Sequence, residues 1–183
     1  MRVVAGKYKG RRLSAPAGQD LRPTADRVRE SVFNVLAHRD NVSLRNARVL
    51  DGFAGTGAMG IEALSRGASH AIFLDTDKQA LSVCRRNLEA LGCDRACWTV
   101  RQADCLDPPP PGAPCTLVLL DPPYGRGFAG PSLSALRDAG WIATGATCVV
   151  EIGAKETFVI PSGYELVDER RYGAARAIFM IAA

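Results

Sequence analysis

Gly55, Gly57 and Gly60 stand in G-x-G-x-x-G spacing within VLDGFAGTGAMG, residues 49–60, and Asp75 follows downstream. A tight turn after a strand brings backbone N–H groups and a helix N-terminus against a polar ligand, and glycines permit the close approach. Asp75, ending the next strand, can accept hydrogen bonds from two ribose hydroxyls. These features suit any adenosine-bearing cofactor, NAD or S-adenosylmethionine (SAM) alike. Three facts favour SAM. Asp51 ends the first strand, where its carboxylate would repel a pyrophosphate and attract the ammonium group of SAM. The chain, at 183 residues, is short for a dehydrogenase with a separate substrate domain. No histidine or lysine stands in a proton-shuttling motif.

The second constellation is Asp121-Pro122-Pro123-Tyr124, directly after the apolar run Leu117–Leu120. It falls at the carboxyl end of a strand, where open α/β sheets hold their ligands. A nucleobase amine is a poor nucleophile because its lone pair is delocalised into the ring. The Asp121 carboxylate and the Pro122 carbonyl could hold its two N–H groups and aim the lone pair at a methyl group. Pro122 and Pro123 stiffen the backbone that presents this carbonyl. Tyr124 offers a stacking face, worth ~1–3 kcal/mol per base. The tetrapeptide resembles the (Asp/Asn)-Pro-Pro-aromatic signature of methyltransferases acting on exocyclic or amide nitrogens. It serves adenine and guanine amines equally, and in other settings is simply a rigid turn.

These residues need a frame. From Ala47 the pattern alternates strand and helix: strands at Ala47–Asp51, Ala71–Asp75, Trp98–Gln102, Leu117–Asp121 and Thr147–Glu151, and helices at Gly57–Arg66, Lys78–Leu91 and Ser132–Ala139. Tyr164–Arg171 and Arg176–Ile181 are strand-like, and the four residues between them are too few for a helix, so this pair is antiparallel. The reading is α/β, a doubly wound sheet closed by a hairpin. Ahead of it, residues 2–14 read as a short hairpin. Thr24 can cap a helix to about Ala37, whose apolar face is Val28, Val32, Val35 and Leu36, with Arg22, Arg27 and Arg29 off that face. The proline-rich loop Asp107–Pro114 carries no evident chemistry.

Charge is unevenly spread. Residues 1–29 hold eight Lys/Arg and two acids, against fifteen and seventeen in the remainder. A basic arm on a slightly acidic body suits a polyanion, since neutralised phosphates release counterions. The six cysteines lack C-x-x-C spacing and lie far from His38 and His70, so they read as free thiols in a reducing compartment rather than as metal ligands. No signal peptide or membrane-spanning run is evident. The expectation is a cytoplasmic monomer of one domain over residues 1–183, with 1–38 facing nucleic acid and 47–183 as the catalytic core.

Taken together, these segments resemble the bacterial RsmD family, the 16S ribosomal RNA guanine-N2 methyltransferases. Arg2–Leu13 is similar to the family's basic opening hairpin, and Leu21–Phe33 (LRPTADRVRESVF) to its R-P-T-x-D-R-V-R-E segment. Asp51–Gly60, Glu62–Ala68, Asp121–Tyr124 and Arg170–Gly173 continue the match. The resemblance implies a Rossmann-like class I SAM-dependent methyltransferase fold, seven-stranded and mostly parallel with an antiparallel last strand. It implies SAM as donor and 16S rRNA, naked or in a partly assembled small subunit, as acceptor. By position, Asp51, Phe53, Gly55, Thr56 and Gly57 would hold the methionine part of SAM, Asp75 the ribose, and Asp104 with Cys105 the adenine. Asp121, Pro122, Pro123 and Tyr124 would be catalytic, and Lys7, Lys9, Arg11, Arg12, Arg22, Arg27 and Arg29 would meet RNA. Gly52 replaces a frequent bulky residue, and Asp75 a frequent Glu one methylene longer. Two other readings stay open: an N6-adenine methyltransferase on DNA or RNA, and a non-catalytic RNA-binding assembly protein that keeps the fold.

Overall fold

Strands with runs of consecutive buried residues must be covered on both faces, and the central strands here are of that kind. In a computed structural model, which describes residues 1–15, 23–39 and 44–183, they form one seven-stranded sheet. Its members are β1 (Arg48–Gly52), β2 (His70–Asp75), β3 (Trp98–Gln102), β4 (Cys115–Leu120), β5 (Ile142–Gly153), β6 (Tyr164–Tyr172) and β7 (Ala175–Ala182), in the order β3-β2-β1-β4-β5-β7-β6. Pairing is parallel from β3 to β5, and β7 runs antiparallel to both β5 and β6. The expected fold class and the reversed last strand are thus observed. Strand order reverses between β1 and β4, which opens a crevice at their carboxyl ends.

The helices are α1 (Pro23–Ala37), α2 (Ala58–Ser65), α3 (Lys78–Ala90) and α4 (Ala129–Asp138). Period-two alternation divides the sheet between two cores. Val49, Phe73, Leu117, Leu119, Val149 and Phe179 pack with Val28, Val32, Phe33 and Leu36 of α1 and with Cys84 and Leu88 of α3. Leu50, Leu74, Val118, Leu120, Val150 and Met180 face Leu133 and Leu136 of α4 and Trp141. None of the described helices is long and apolar enough to cross a membrane.

Several boundaries differ from expectation for identifiable reasons. Helix α1 begins at Pro23, whose ring fixes φ and whose missing N–H is no loss in a first turn. The Thr24 side chain, the loop around Pro16 and Gly18, and Arg22 lie outside the described residues. Helix α4 starts at Ala129, ahead of the expected Ser132, because Pro131 is tolerated in a first turn. Strand β5 is longer than Thr147–Glu151. A register shift between Cys115 and Leu117, with Gly145 at φ 76°, lets Ile142 pair as well. The proline-rich loop has a packing role: the Pro109 carbonyl accepts from Trp141 Nε1 at 2.7 Å and the Pro110 carbonyl from Arg101.

The expected opening hairpin is present as an antiparallel bridge between Arg2 and Arg12. Val3, Tyr8 and Leu13 sink into the core while Lys7, Lys9, Arg11 and Arg12 stay exposed. The hairpin is fastened to α2 and α3: Tyr8 N donates to Ser65 Oγ at 2.9 Å, and Ser14 N to Asn87 Oδ1 at 2.8 Å. Gly6 lies against this contact; a β-carbon there would fall 1.8 Å from the Ser65 carbonyl oxygen.

Candidate active site

Each candidate side chain is delivered by a strand end. At the end of β1, Asp51 is buried and accepts from Gly60 N at 2.7 Å. Gly60 must be glycine for packing: a β-carbon would stand 2.4 Å from the Phe73 ring and 3.1 Å from Asp51 Oδ2. A β-carbon on Gly57 would meet Cys84 Sγ at 2.5 Å. Two of the three glycines therefore serve helix-to-sheet approach. At the end of β2, Asp75 Oδ2 accepts from Gly55 N at 2.8 Å and Oδ1 from Asp77 N at 2.9 Å. Asp75 thereby holds the glycine loop in place as well as fronting the crevice.

The crevice is a cleft of about 630 Å³, bordered by Phe53, Asp75, Asp104, Asp121–Tyr124 and Glu151, with Val28 of α1 and Tyr172 of β6 closing one side. Phe53, held at φ 59° in the left-handed region that few non-glycine residues adopt, stacks on Phe128 with centroids 6.5 Å apart and planes at 9°. These rings and Leu106 give the cleft flat apolar walls. Asp104 sits at the rim, where its own turn uses it: Oδ1 accepts from Leu106 N at 2.8 Å.

Register brings two acids together. Leu120 pairs with Val150 across β4 and β5, so Asp121 and Glu151, the next residues, emerge side by side where that pairing stops. Asp121 opens to the cleft but has protein around its other sides, and its pKa is pushed well up by lost hydration and by the Glu151 and Asp51 carboxylates. Burial also raises Glu151, opposed by the Tyr124 hydroxyl, which donates to Glu151 Oε1 at 2.5 Å. Asp51 is pushed up to about 8 by burial, against the Gly60 hydrogen bond. Asp121 and Glu151 thus give the concave site a pair of adjacent carboxylates beside its apolar walls, with Asp51 buried behind them.

The cleft thus joins Phe53, Asp75, Asp104 and the Asp121–Tyr124 turn. Its lining does not include Gly55, Thr56 or Gly57. Two expectations need correction. Asp51 does not front the cleft; its strand-end carboxylate turns back to satisfy the α2 backbone. The Cys105 thiol points into the core beside Gly52, with burial raising it to about 12, and does not line the cleft. Phe128 and Glu151 went unread, although Glu151 carried a signal: it directly follows the buried strand run Thr147–Val150.

The basic face also needs correction. Arg27 is exposed beside Val28, but Arg29 is only 3% exposed. Its Nη2 donates to the Arg2 carbonyl and to Asp26 Oδ1 at 3.0 Å, and its Nε lies 3.8 Å from Glu62 Oε2. Arg29 is therefore an internal tie between α1, the hairpin and α2, since the hairpin folds over a helix face that periodicity alone leaves in solvent. Arg11 is exposed, but its Nη2 donates to the Ala90 carbonyl at the end of α3, 2.7 Å away.

Comparison with known proteins agrees with this architecture. A protein-family model described as "Conserved hypothetical protein 95" matches residues 1–181. Ribosomal RNA small subunit methyltransferase D of Haemophilus influenzae is 34% identical over 176 residues, covering 94% of this chain and 89% of its own. The protein of the same name from Escherichia coli K12 is 35% identical over 174 residues, covering 94% and 85%. The solved structure of Escherichia coli yhhF superposes with a TM-score of 0.84 at 33% identity, covering 100% of this chain and 97% of that one. Matched in this way from end to end, the chain belongs to the ribosomal RNA small subunit methyltransferase D (RsmD) family.

Proposed function

We propose that this protein transfers the methyl group of SAM to the exocyclic N2 of a guanine in 16S rRNA. The observation that carries the reading is the Asp121-Pro122-Pro123-Tyr124 turn on the wall of a carboxylate-rich cleft at the strand ends. Its residues fit SAM: Phe53, Phe128 and Leu106 suit the adenine ring, Asp75 the ribose hydroxyls, and the charge of the buried Asp51, close enough to act on Asp121, the cationic methionine part. SAM supplies a methyl carbon on a sulfonium, so an N–C bond forms as the S–C bond breaks and a neutral thioether leaves. Asp121 and the Pro122 carbonyl accept the two amine N–H groups and direct the lone pair toward that carbon. Tyr124 stacks on the base. The methylated nitrogen is strongly acidic, and Asp121 or water takes its proton. The acceleration comes chiefly from holding the two reactants in line.

The test is nucleoside mass spectrometry on small-subunit rRNA from cells lacking this gene, treated with purified protein and SAM. New N2-methylguanosine is the expected product. N6-methyladenosine would move the reading to an adenine methyltransferase. No new methylated nucleoside, with SAM binding demonstrated, would favour the non-catalytic assembly protein.

The raised carboxyls predict how SAM binding responds to pH. Asp51 holds its proton up to about 8 in the folded protein but ionises near 3.8 when unfolded. The unfolded state therefore binds fewer protons in between, and the free protein loses stability as pH rises through that range. A bound cation favours the ionised form of Asp51, so SAM affinity rises toward pH 8. The upward shift in Tm produced by SAM is expected to be larger at pH 7.5 than at pH 5.5. An equal shift would separate the cation from Asp51.

Lys7, Lys9 and Arg12 are the exposed cations of the hairpin that suit RNA phosphates, with Arg27 beside the cleft. Reversing Lys9 and Arg12 to Glu is expected to raise the KM for RNA and flatten its salt dependence. Each lost phosphate contact removes about 0.7–0.9 from the log–log slope. SAM affinity should not change. An unaltered slope would remove the hairpin from the RNA interface.

A further inference from the structure

Glu151 has a position that the proposed transfer chemistry does not itself require. It lies on β5 just past the last β4 pairing, beside Asp121, and borders the same cleft. Its Oε1 is engaged by the Tyr124 hydroxyl. Among the described residues no hydrogen bond engages Oε2. The stacking face and the two carboxylates are thereby joined: the ring that would carry the base is tied to Glu151, and the acceptor for the amine is its neighbour.

The Watson–Crick edges of the two purines differ at this point. Guanine presents N1–H beside its N2 amine, two adjacent donors. Adenine presents an acceptor, N1, beside its N6 amine. A row of acceptors matches the first edge and leaves the second with a lone pair against a carboxylate. A site built to pair with a donor discriminates strongly against an analogue that lacks it, because the site's own polar group is left unpaired.

Resting on the reading of this cleft as a methyltransferase site, we infer that Glu151 is its purine-selecting residue, accepting N1–H of the target guanine through Oε2 while Asp121 and the Pro122 carbonyl hold the N2 amine. One carboxylate thus orients Tyr124 through one oxygen and reads the base through the other. The three-atom contact lies along one edge of the base, so stacking and edge recognition are satisfied in a single pose. Selectivity for guanine is then set within the cleft, independently of the basic hairpin.

The probe is 2-aminopurine, which keeps the reactive 2-amine but has an unprotonated N1. Once mass spectrometry has located the modified guanine, 16S rRNA is ligated with guanine or 2-aminopurine at that one position and assembled with small-subunit proteins. Single-turnover methylation is measured with wild type and with Glu151→Gln. The glutamine carbonyl can still accept from Tyr124, while its amide now donates toward N1. Wild type is expected to prefer guanine by about 10- to 100-fold, the range for one charge-assisted hydrogen bond. Glu151→Gln is expected to reduce that ratio at least tenfold, with unchanged SAM affinity. A residue that only positions Tyr124 would slow both bases equally and leave the ratio where it was, which overturns the inference. If the variant does not fold, the wild-type ratio decides alone: equal rates on the two bases would sink the proposal. Failure of wild type to methylate guanine would instead overturn the proposed function, so the two failures are distinct.

Discussion

Asp121→Ala is expected to lower the single-turnover rate of methyl transfer by about 10²–10³-fold, the range for removing one preorganised hydrogen-bonding group from an active site. SAM affinity should stay within a few-fold of wild type. The reasoning is geometric. Asp121 emerges at the end of β4, and its backbone N reaches Gly52 O of β1 at 3.5 Å, so the strand scaffold rather than the side chain sets the local main chain. Alanine would keep the Pro122 carbonyl and the Tyr124–Glu151 bond and lose only the second acceptor. The amine would then be held by one N–H, and its lone pair would sample orientations away from the methyl carbon. Asp121→Asn keeps an acceptor oxygen and is expected to lose less. Because Asp121 is crowded by Glu151 and Asp51, both substitutions also relieve repulsion, so the free protein should be as stable as wild type or more so. Slow transfer in a protein of unreduced stability separates a chemical role from a structural one. Near-normal turnover in Asp121→Ala would remove this residue from the reaction.

What could be read from sequence divides along a physical line. Strands β1, β2 and β4 announce themselves because the interior of a buried parallel strand has no choice but to be apolar, and a polar residue closing such a run falls at the strand-end crevice. That logic located Asp75 and Asp121. It applies equally to Glu151, which closes the expected strand Thr147–Glu151 but belongs to no motif of its own. The same logic placed Asp51 at a strand end yet misjudged its direction, since the adjacent Gly60 N–H competes for the carboxylate. Phe128 was invisible because it caps α4 with its backbone in a stretch of loop composition. It becomes a cleft wall only when Phe53, on another loop, arrives beside it. Arg29 shows the limit most clearly. It follows Val28 on α1, where helical period alone predicts solvent. The partner that buries it, Glu62, lies on a different helix, and no local pattern joins the two.

That buried pair carries the largest stability effect we expect. Glu62 is fully buried, and every ligand of its carboxylate is a donor: Val4 N at 2.8 Å, Ala5 N at 3.0 Å and Arg66 Nε at 2.8 Å, with Arg29 Nε at 3.8 Å. It is the point where the hairpin, α1 and α2 meet. Glu62→Ala removes the negative member and leaves Arg29 enclosed and two backbone N–H groups unpaired. Breaking such a pair from one side costs about 3–5 kcal/mol, read as a lower midpoint in urea unfolding. Arg29→Met should also destabilise, by less, because the remaining carboxylate keeps Arg66 and the two amides. The decisive contrast is with RNA. If Arg29 is an internal tie, Arg29→Met leaves the salt slope of RNA binding at its wild-type value while Lys9→Glu flattens it at unchanged stability. A flattened slope in Arg29→Met, at a temperature where the variant is fully folded, would return Arg29 to the RNA-facing surface and imply that the hairpin lifts away from α1 when RNA binds.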